Sequence, residues 1–198
     1  QLEITPEFLD RTIAGYVLKG YDLISLNELE EIIVTSKKVK HPFVCFTLDD
    51  GYKDNYEIAY PIFRRHNCPF AIYLTTDFPD RKAFLWWYIL EDILKHNNEL
   101  LLGDGALLKA ETLSEKDKVF DYIREKVFSE NYDNIELLMK EILVHYSYSF
   151  SDKAEQLALS WPQVIHLAQD SLCTIGSHSI THRVLTGLPT EQLSEELT

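Results

Sequence analysis

Phe43-Val44-Cys45-Phe46-Thr47-Leu48-Asp49-Asp50-Gly51-Tyr52 is an apolar run, rich in aromatic and β-branched residues, that ends in two carboxylates and a glycine. The run predicts a buried strand. Strand ends of this kind are where α/β folds place chemistry, and the glycine lets the chain turn sharply. Side chains alternate along a strand, so Asp49 and Asp50 are expected to point different ways and to do different jobs. An ordinary Asp-Gly turn closing a strand is the plainer alternative.

A second stretch, Ile175-Gly176-Ser177-His178-Ser179-Ile180-Thr181-His182, follows the short apolar run Leu172-Cys173-Thr174-Ile175, itself a candidate strand. Two histidines four apart meet on one face where the segment turns helically, so both imidazoles can reach one ion. A solvated or hydrogen-bonded histidine pair is the alternative. Together, two strand ends offering Asp and His-x-x-x-His can supply two imidazoles and one carboxylate, with metal positions left open for water and substrate.

Leu48-Asp49-Asp50-Gly51-Tyr52 resembles the first signature of the polysaccharide deacetylases, the chitin-deacetylase-like carbohydrate esterases, whose usual form is Thr-Phe-Asp-Asp-Gly. Here Thr47-Leu48 stands for Thr-Phe, away from the chemistry. His178-Ser179-Ile180-Thr181-His182 resembles the second signature, His-Ser/Thr-x-x-His. The flanks Gly20-Tyr21-Asp22-Leu23-Ile24-Ser25-Leu26, Ser160-Trp161 and Ile175-Gly176-Ser177 agree with it. The resemblance covers residues 5–78 and 158–198.

The resemblance implies an α/β fold, part of a distorted (β/α) barrel, in which residues 1–198 form a partial catalytic domain and 79–157 a helical insertion. It implies a metal-dependent hydrolase that removes acetyl groups from an N- or O-acetylated carbohydrate. Asp50, His178 and His182 would hold a divalent metal, with Zn²⁺ the default, and Asp49 would be the general base. Ser179 is expected to order its loop, because nothing in the sequence places a base beside it. Family members carry further signatures downstream, including a late Leu-x-His whose histidine serves as general acid. The sixteen residues after His182 contain no histidine, so the expectation is a fragment of a longer protein, inefficient alone and covering its open sheet by self-association or by its insertion helices. Two other readings are a non-catalytic carbohydrate-binding domain and a cyclic-amide hydrolase, both on the same fold.

A chain of 198 residues, 45% apolar and 12% aromatic, suits one domain with a sizeable core. Its formal net charge of −13 argues against nucleic acid and anionic membranes as partners. Cys45, Cys68 and Cys173 lack CxxC spacing and lie in or beside apolar runs, which points to core packing. The sequence contains no signal peptide and no apolar run of membrane-spanning length, and localisation stays open between cytoplasm and cell envelope.

Helix signals punctuate the rest. Thr5-Pro6 predicts a start, with Gly20 marking the end. Ser25 and Glu28 have capping-box spacing ahead of a helix through Ile33. Residues 52–66 predict a helix kinked or broken at Pro61, and Pro69–Leu74 a second core strand, making a βαβ unit. The insertion predicts helices around Leu85–Leu94, from Ser114, and over Ile135–Leu143. Trp86-Trp87 could stack on sugar rings, although core packing is the favoured reading. Further helices are expected from Trp161-Pro162 and from Pro189-Thr190.

Overall fold

The computed structural model describes residues 4–130, 132–186 and 188–197. The chain divides into two compact units, one of residues 1–81 with 155–198 and the other of residues 82–154.

In the first unit, α1 (Pro6–Leu18) starts where Thr5 accepts a hydrogen bond from the Phe8 N–H, and it buries Leu9 and Ile13. The two-residue strand β1 (Asp22–Leu23) is followed by α2 (Leu26–Thr35), which carries the full Ser25–Glu28 capping box. Next come β2 (Phe43–Val44), parallel to β1, and β3 (Phe46–Asp50). The stretch after β3 is helical but not uniform. A π-helical turn (Asn55–Ala59) runs into α3 (Tyr60–Arg65). Pro61 explains the irregularity, since it has no N–H to donate and its ring crowds the carbonyl four residues back. The Tyr60 N–H accordingly donates to the Asn55 carbonyl, five residues earlier. Then follows β4 (Phe70–Leu74).

The second unit contains α4 (Trp86–His96), the antiparallel hairpin β5 (Glu99–Leu101) and β6 (Leu107–Lys109), α5 (Leu113–Ser129) and α6 (Tyr132–Ile142). Helix α5 begins from a Thr112–Glu115 capping box, two residues before the start expected at Ser114. The unit has its own core, in which Leu90, Leu100, Ile123, Met139 and Leu143 are fully buried. Trp86 belongs to that core and stacks on Phe120, as the packing reading of the tryptophan pair requires. Helix α7 (Phe150–Leu157) follows, and the first unit resumes with α8 (Trp161–Ala168), β7 (Cys173–Ser177) and α9 (Thr190–Leu197).

The main sheet has the order β3-β4-β7, all parallel, with Asp50 opposite Leu74 and Leu74 opposite Ser177. The chain is therefore α/β, and among the described residues this sheet stays open rather than closing into a barrel. Residues 46, 48, 70 and 72 share one face of the sheet, and they pack with Ile13, Phe63 and Leu167 from the surrounding helices. Phe63 and Phe70 stack with ring centroids 4.5 Å apart. Cys68 and Cys173 are buried and all three cysteines are free, so burial pushes the thiols of Cys68 and Cys173 up to about 12. Among the described residues no helix is long and apolar enough to cross a membrane.

Candidate metal centre

All three parallel strands end at the same edge, and the two sequence motifs meet there. Strand β3 stops in a three-residue turn: Asp50 has φ +70°, and the Gly51 N–H donates back to the Asp49 carbonyl at 2.8 Å. A turn of this kind is uncommon and strained for a residue with a side chain, and such strain gathers at functional sites. Gly51 follows at φ +96°, a conformation that favours glycine, and a Cβ there would sit 2.4 Å from Leu74 Cδ1, so that side chain would have to shift. The turn is held from outside by the Thr75 N–H donating to the Asp50 carbonyl and the Leu159 N–H donating to the Gly51 carbonyl.

The histidine segment is not helical. It is a loop leaving β7, with Ser179 at φ +66° and His182 at φ +63°. The i, i+4 spacing still brings the rings together, at a centroid separation of 5.3 Å, but hydrogen bonds rather than helix geometry do so. The His178 N–H donates to the Leu74 carbonyl, the Thr75 hydroxyl donates to the His178 carbonyl, and the Thr76 and Asp77 N–H groups donate to the carbonyls of Ser179 and Ile180. Ser179, 9% exposed, accepts from the His182 N–H at 3.2 Å, which is a loop-ordering role.

The outcome is a cluster in which one atom each of Asp50, His178 and His182 lies within 4.8 Å of the others. Asp50 Oδ1 sits 3.5 Å from His178 Nε2 and 3.2 Å from His182 Nε2. It is buried, yet neither approach has hydrogen-bond alignment, and Oδ1 has no hydrogen-bond partner. A buried carboxylate oxygen without a donor, facing two imidazole nitrogens, is an arrangement a divalent cation would complete. Two nitrogens and one oxygen also suit borderline divalent metals. The Asp50 carboxylate, aided by the charge of Asp49, pulls the His182 imidazole above its ordinary value, against the opposing effect of burial. Asp49 is exposed and Asp50 half-buried, in keeping with strand alternation, yet both charges bear on His182.

Sequence reasoning missed Thr75 and Glu196, which both hold the histidine loop. Thr75 directly follows a strand already identified and could have been suspected as its terminal residue. Glu196 lies in an acidic late helix, where nothing in the sequence distinguishes it from Glu195.

No family model matches the chain. A curated protein of Bacillus subtilis (strain 168), "Putative polysaccharide deacetylase YxkH", is 33% identical over 55 residues, 28% of this chain and 20% of that protein. Among solved structures, the Streptococcus pyogenes deacetylase PplD, in complex with acetate, matches 99% of this chain at TM-score 0.57 and 13% identity. The chain spans about half of that structure, 54% of its length. The deacetylase domain of BpsB from Bordetella bronchiseptica matches 87% of this chain and 43% of its own at TM-score 0.45 and 15% identity. Both sequence signatures resemble those of polysaccharide deacetylases, the curated relative carries that name, and the chain shares the fold of PplD.

Proposed function

We propose that the chain is the metal-binding part of a hydrolase that removes acetyl groups from an N- or O-acetylated carbohydrate. The observation that carries the reading is the convergence of Asp50, His178 and His182 around a buried carboxylate oxygen that accepts no hydrogen bond, at the end of a parallel sheet. In this reading the three-stranded sheet is part of a distorted (β/α) barrel, and residues 79–157 are an insertion within a partial catalytic domain, a reading supported by the separate compact unit at 82–154. Asp50, His178 and His182 hold a divalent ion, with Zn²⁺ the first candidate. When bound, such an ion supplies Lewis acidity, because two neutral imidazoles and one carboxylate leave it a net positive charge.

The chain's own residues do the rest. Asp50 anchors the site through its strained turn, and the histidine loop presents two nitrogens towards it. Asp49, exposed beside the cluster, accepts the proton of the attacking water. Carbohydrate is the substrate class because the signatures resemble those of glycan deacetylases, and a strongly acidic surface suits a neutral or cationic glycan better than a polyanion.

Zinc titration by calorimetry, with acetate release from acetylated oligosaccharides, tests the proposal. The wild-type chain is expected to bind one Zn²⁺, and His178→Ala to lose it while circular dichroism stays unchanged. Asp49→Asn should keep the metal in this chain and, in a complete enzyme, lower acetate release about 10²–10⁴-fold. Equal binding by His178→Ala would refute the ligand set. Loss of metal in Asp49→Asn with the rate retained would exchange the roles of the two aspartates.

A further inference from the structure

Glu196 is 5% exposed, and among the described residues few polar groups are so deeply buried. A buried carboxylate is unfavourable unless its oxygens are satisfied. Here both are. Oε2 accepts from the Ile180 N–H at 3.2 Å and the Thr181 N–H at 2.9 Å, while Oε1 accepts from the Thr181 hydroxyl at 2.6 Å. Arg183 Nε completes the set, 3.1 Å from Oε1, with an Arg183 side chain that is only 15% exposed. Every one of these contacts falls on the loop carrying His178 and His182. The opposite side of that loop is tied to residues 74–77 by the backbone and Thr75 bonds already described. Two non-glycine residues in the loop, Ser179 and His182, hold positive φ, a conformation that persists only where the surroundings impose it.

We propose that Glu196 is a positioning residue for the metal centre: from α9 it fixes residues 180–183 so that both imidazoles face Asp50. The inference rests on the metal-site reading for its purpose, though not for its geometry. Glu196 does not touch the ion or the substrate. It acts on the ligands, as residues surrounding a metal site orient the groups that bind it. A carboxylate is needed because two backbone N–H groups, one hydroxyl and one guanidinium converge on it, and all four can donate. Glutamine keeps the volume and one acceptor oxygen but gives up the charge that pairs with Arg183.

The test uses the 198-residue chain, metal-free and zinc-titrated, in wild type, Glu196→Ala and Glu196→Gln. In the metal-free protein, NMR of the imidazole ring signals reads the arrangement of His178 and His182 directly. Glu196→Ala is expected to move both sets of signals towards those of free histidine, and to weaken Zn²⁺ binding by about 10–100-fold. Glu196→Gln should fall between Ala and wild type in both readouts. Ile13→Val, in the fully buried core away from the loop, is the stability control and should leave both readouts unchanged. A folded Glu196→Ala with wild-type ring signals and affinity overturns the proposal. If that variant does not fold, Glu196→Gln decides, and wild-type signals and affinity there overturn it equally. Displaced ring signals in Glu196→Ala, in a protein whose wild type takes up no zinc, would sustain the positioning role and refute the metal reading.

Discussion

Asp170, just past α8, joins segments that are distant in sequence. It accepts from the Tyr60 hydroxyl at 2.6 Å and the Leu172 N–H at 3.0 Å, and lies 3.6 Å from Arg64 Nε. The Tyr60 hydroxyl foremost, then the Leu172 N–H, holds the Asp170 carboxyl below its ordinary value. Because its folded-state pKa is lowered, the carboxylate stabilises the fold above the unfolded value of ~3.9, and that contribution disappears as pH falls through the folded value. Asp170→Asn is therefore expected to cost about 1–2 kcal/mol at pH 7, a difference that closes at acid pH; urea melts at the two pH values check it. A constant difference at both would remove the role of the charge. The same residue marks where sequence reading stops. The meeting of Asp50, His178 and His182 was legible because the two motifs that carry them each follow a strand. Asp170 and Glu196 were not, because their meaning lies in partners that only folding brings near, Tyr60 being 110 residues from Asp170.

Elements whose ends are fixed by local chemistry were read with little error. Ser25 and Thr5 each cap a helix as their side chains allow, a helix starts at Trp161-Pro162, and Pro61 marks the break it was expected to make. The local geometry of the histidine loop was not legible, because an i, i+4 spacing brings rings together in a helix and the bonds from residues 74–77 and 196 that shape a loop instead are non-local. The hairpin β5–β6 was missed altogether, although Gly103-Asp104-Gly105 between Leu100–Leu102 and Leu107-Leu108 carries a turn signal. Its strands are only three residues long, too short for alternation to register. Gly103 shows how the hairpin is seated, since a Cβ there would lie 2.1 Å from the backbone oxygen of Glu141. Backbone cannot swing aside as a side chain can. Gly103→Ala is thus expected to destabilise the second unit by about 1–3 kcal/mol, read as a lower urea midpoint, whereas Gly105→Ala meets no atom within 4 Å and suffers only from its φ of +86°. Equal effects of the two would show that conformation, not crowding, governs the turn.

At the scale of the whole molecule, the chain carries two hydrophobic cores, one in each unit. The sequence hinted at this through an apolar, helix-rich middle outside the family signatures, but the limits of the unit were set by tertiary contacts that no local signal records. Its ends close on each other: Phe84 meets Phe150 with centroids 4.4 Å apart, and Lys153 pairs with Asp92. The first unit is closed in its turn where the chain departs and returns. Arg81 pairs with Glu155 and donates to the carbonyls of Ala158 and Leu159, at 3.0 and 2.7 Å. Leu159 is the residue whose N–H reaches Gly51, so this clasp runs directly to the turn that carries Asp50. Adjacent chain ends and a separate core are what allow one compact unit to be inserted into another. Residues 82–154 expressed alone are therefore expected to unfold cooperatively in urea, with a slope of about 1 kcal/mol/M, as suits a domain of this size. The complementary chain, with 82–154 replaced by a short glycine-serine linker, should keep its zinc affinity, because the groups described above as shaping the cluster lie in 1–81 or 155–198. A non-cooperative melt of the excised unit would show that its core needs the rest of the chain. Loss of zinc binding by the linked chain, with its circular dichroism intact, would instead assign the second unit a part in the metal centre.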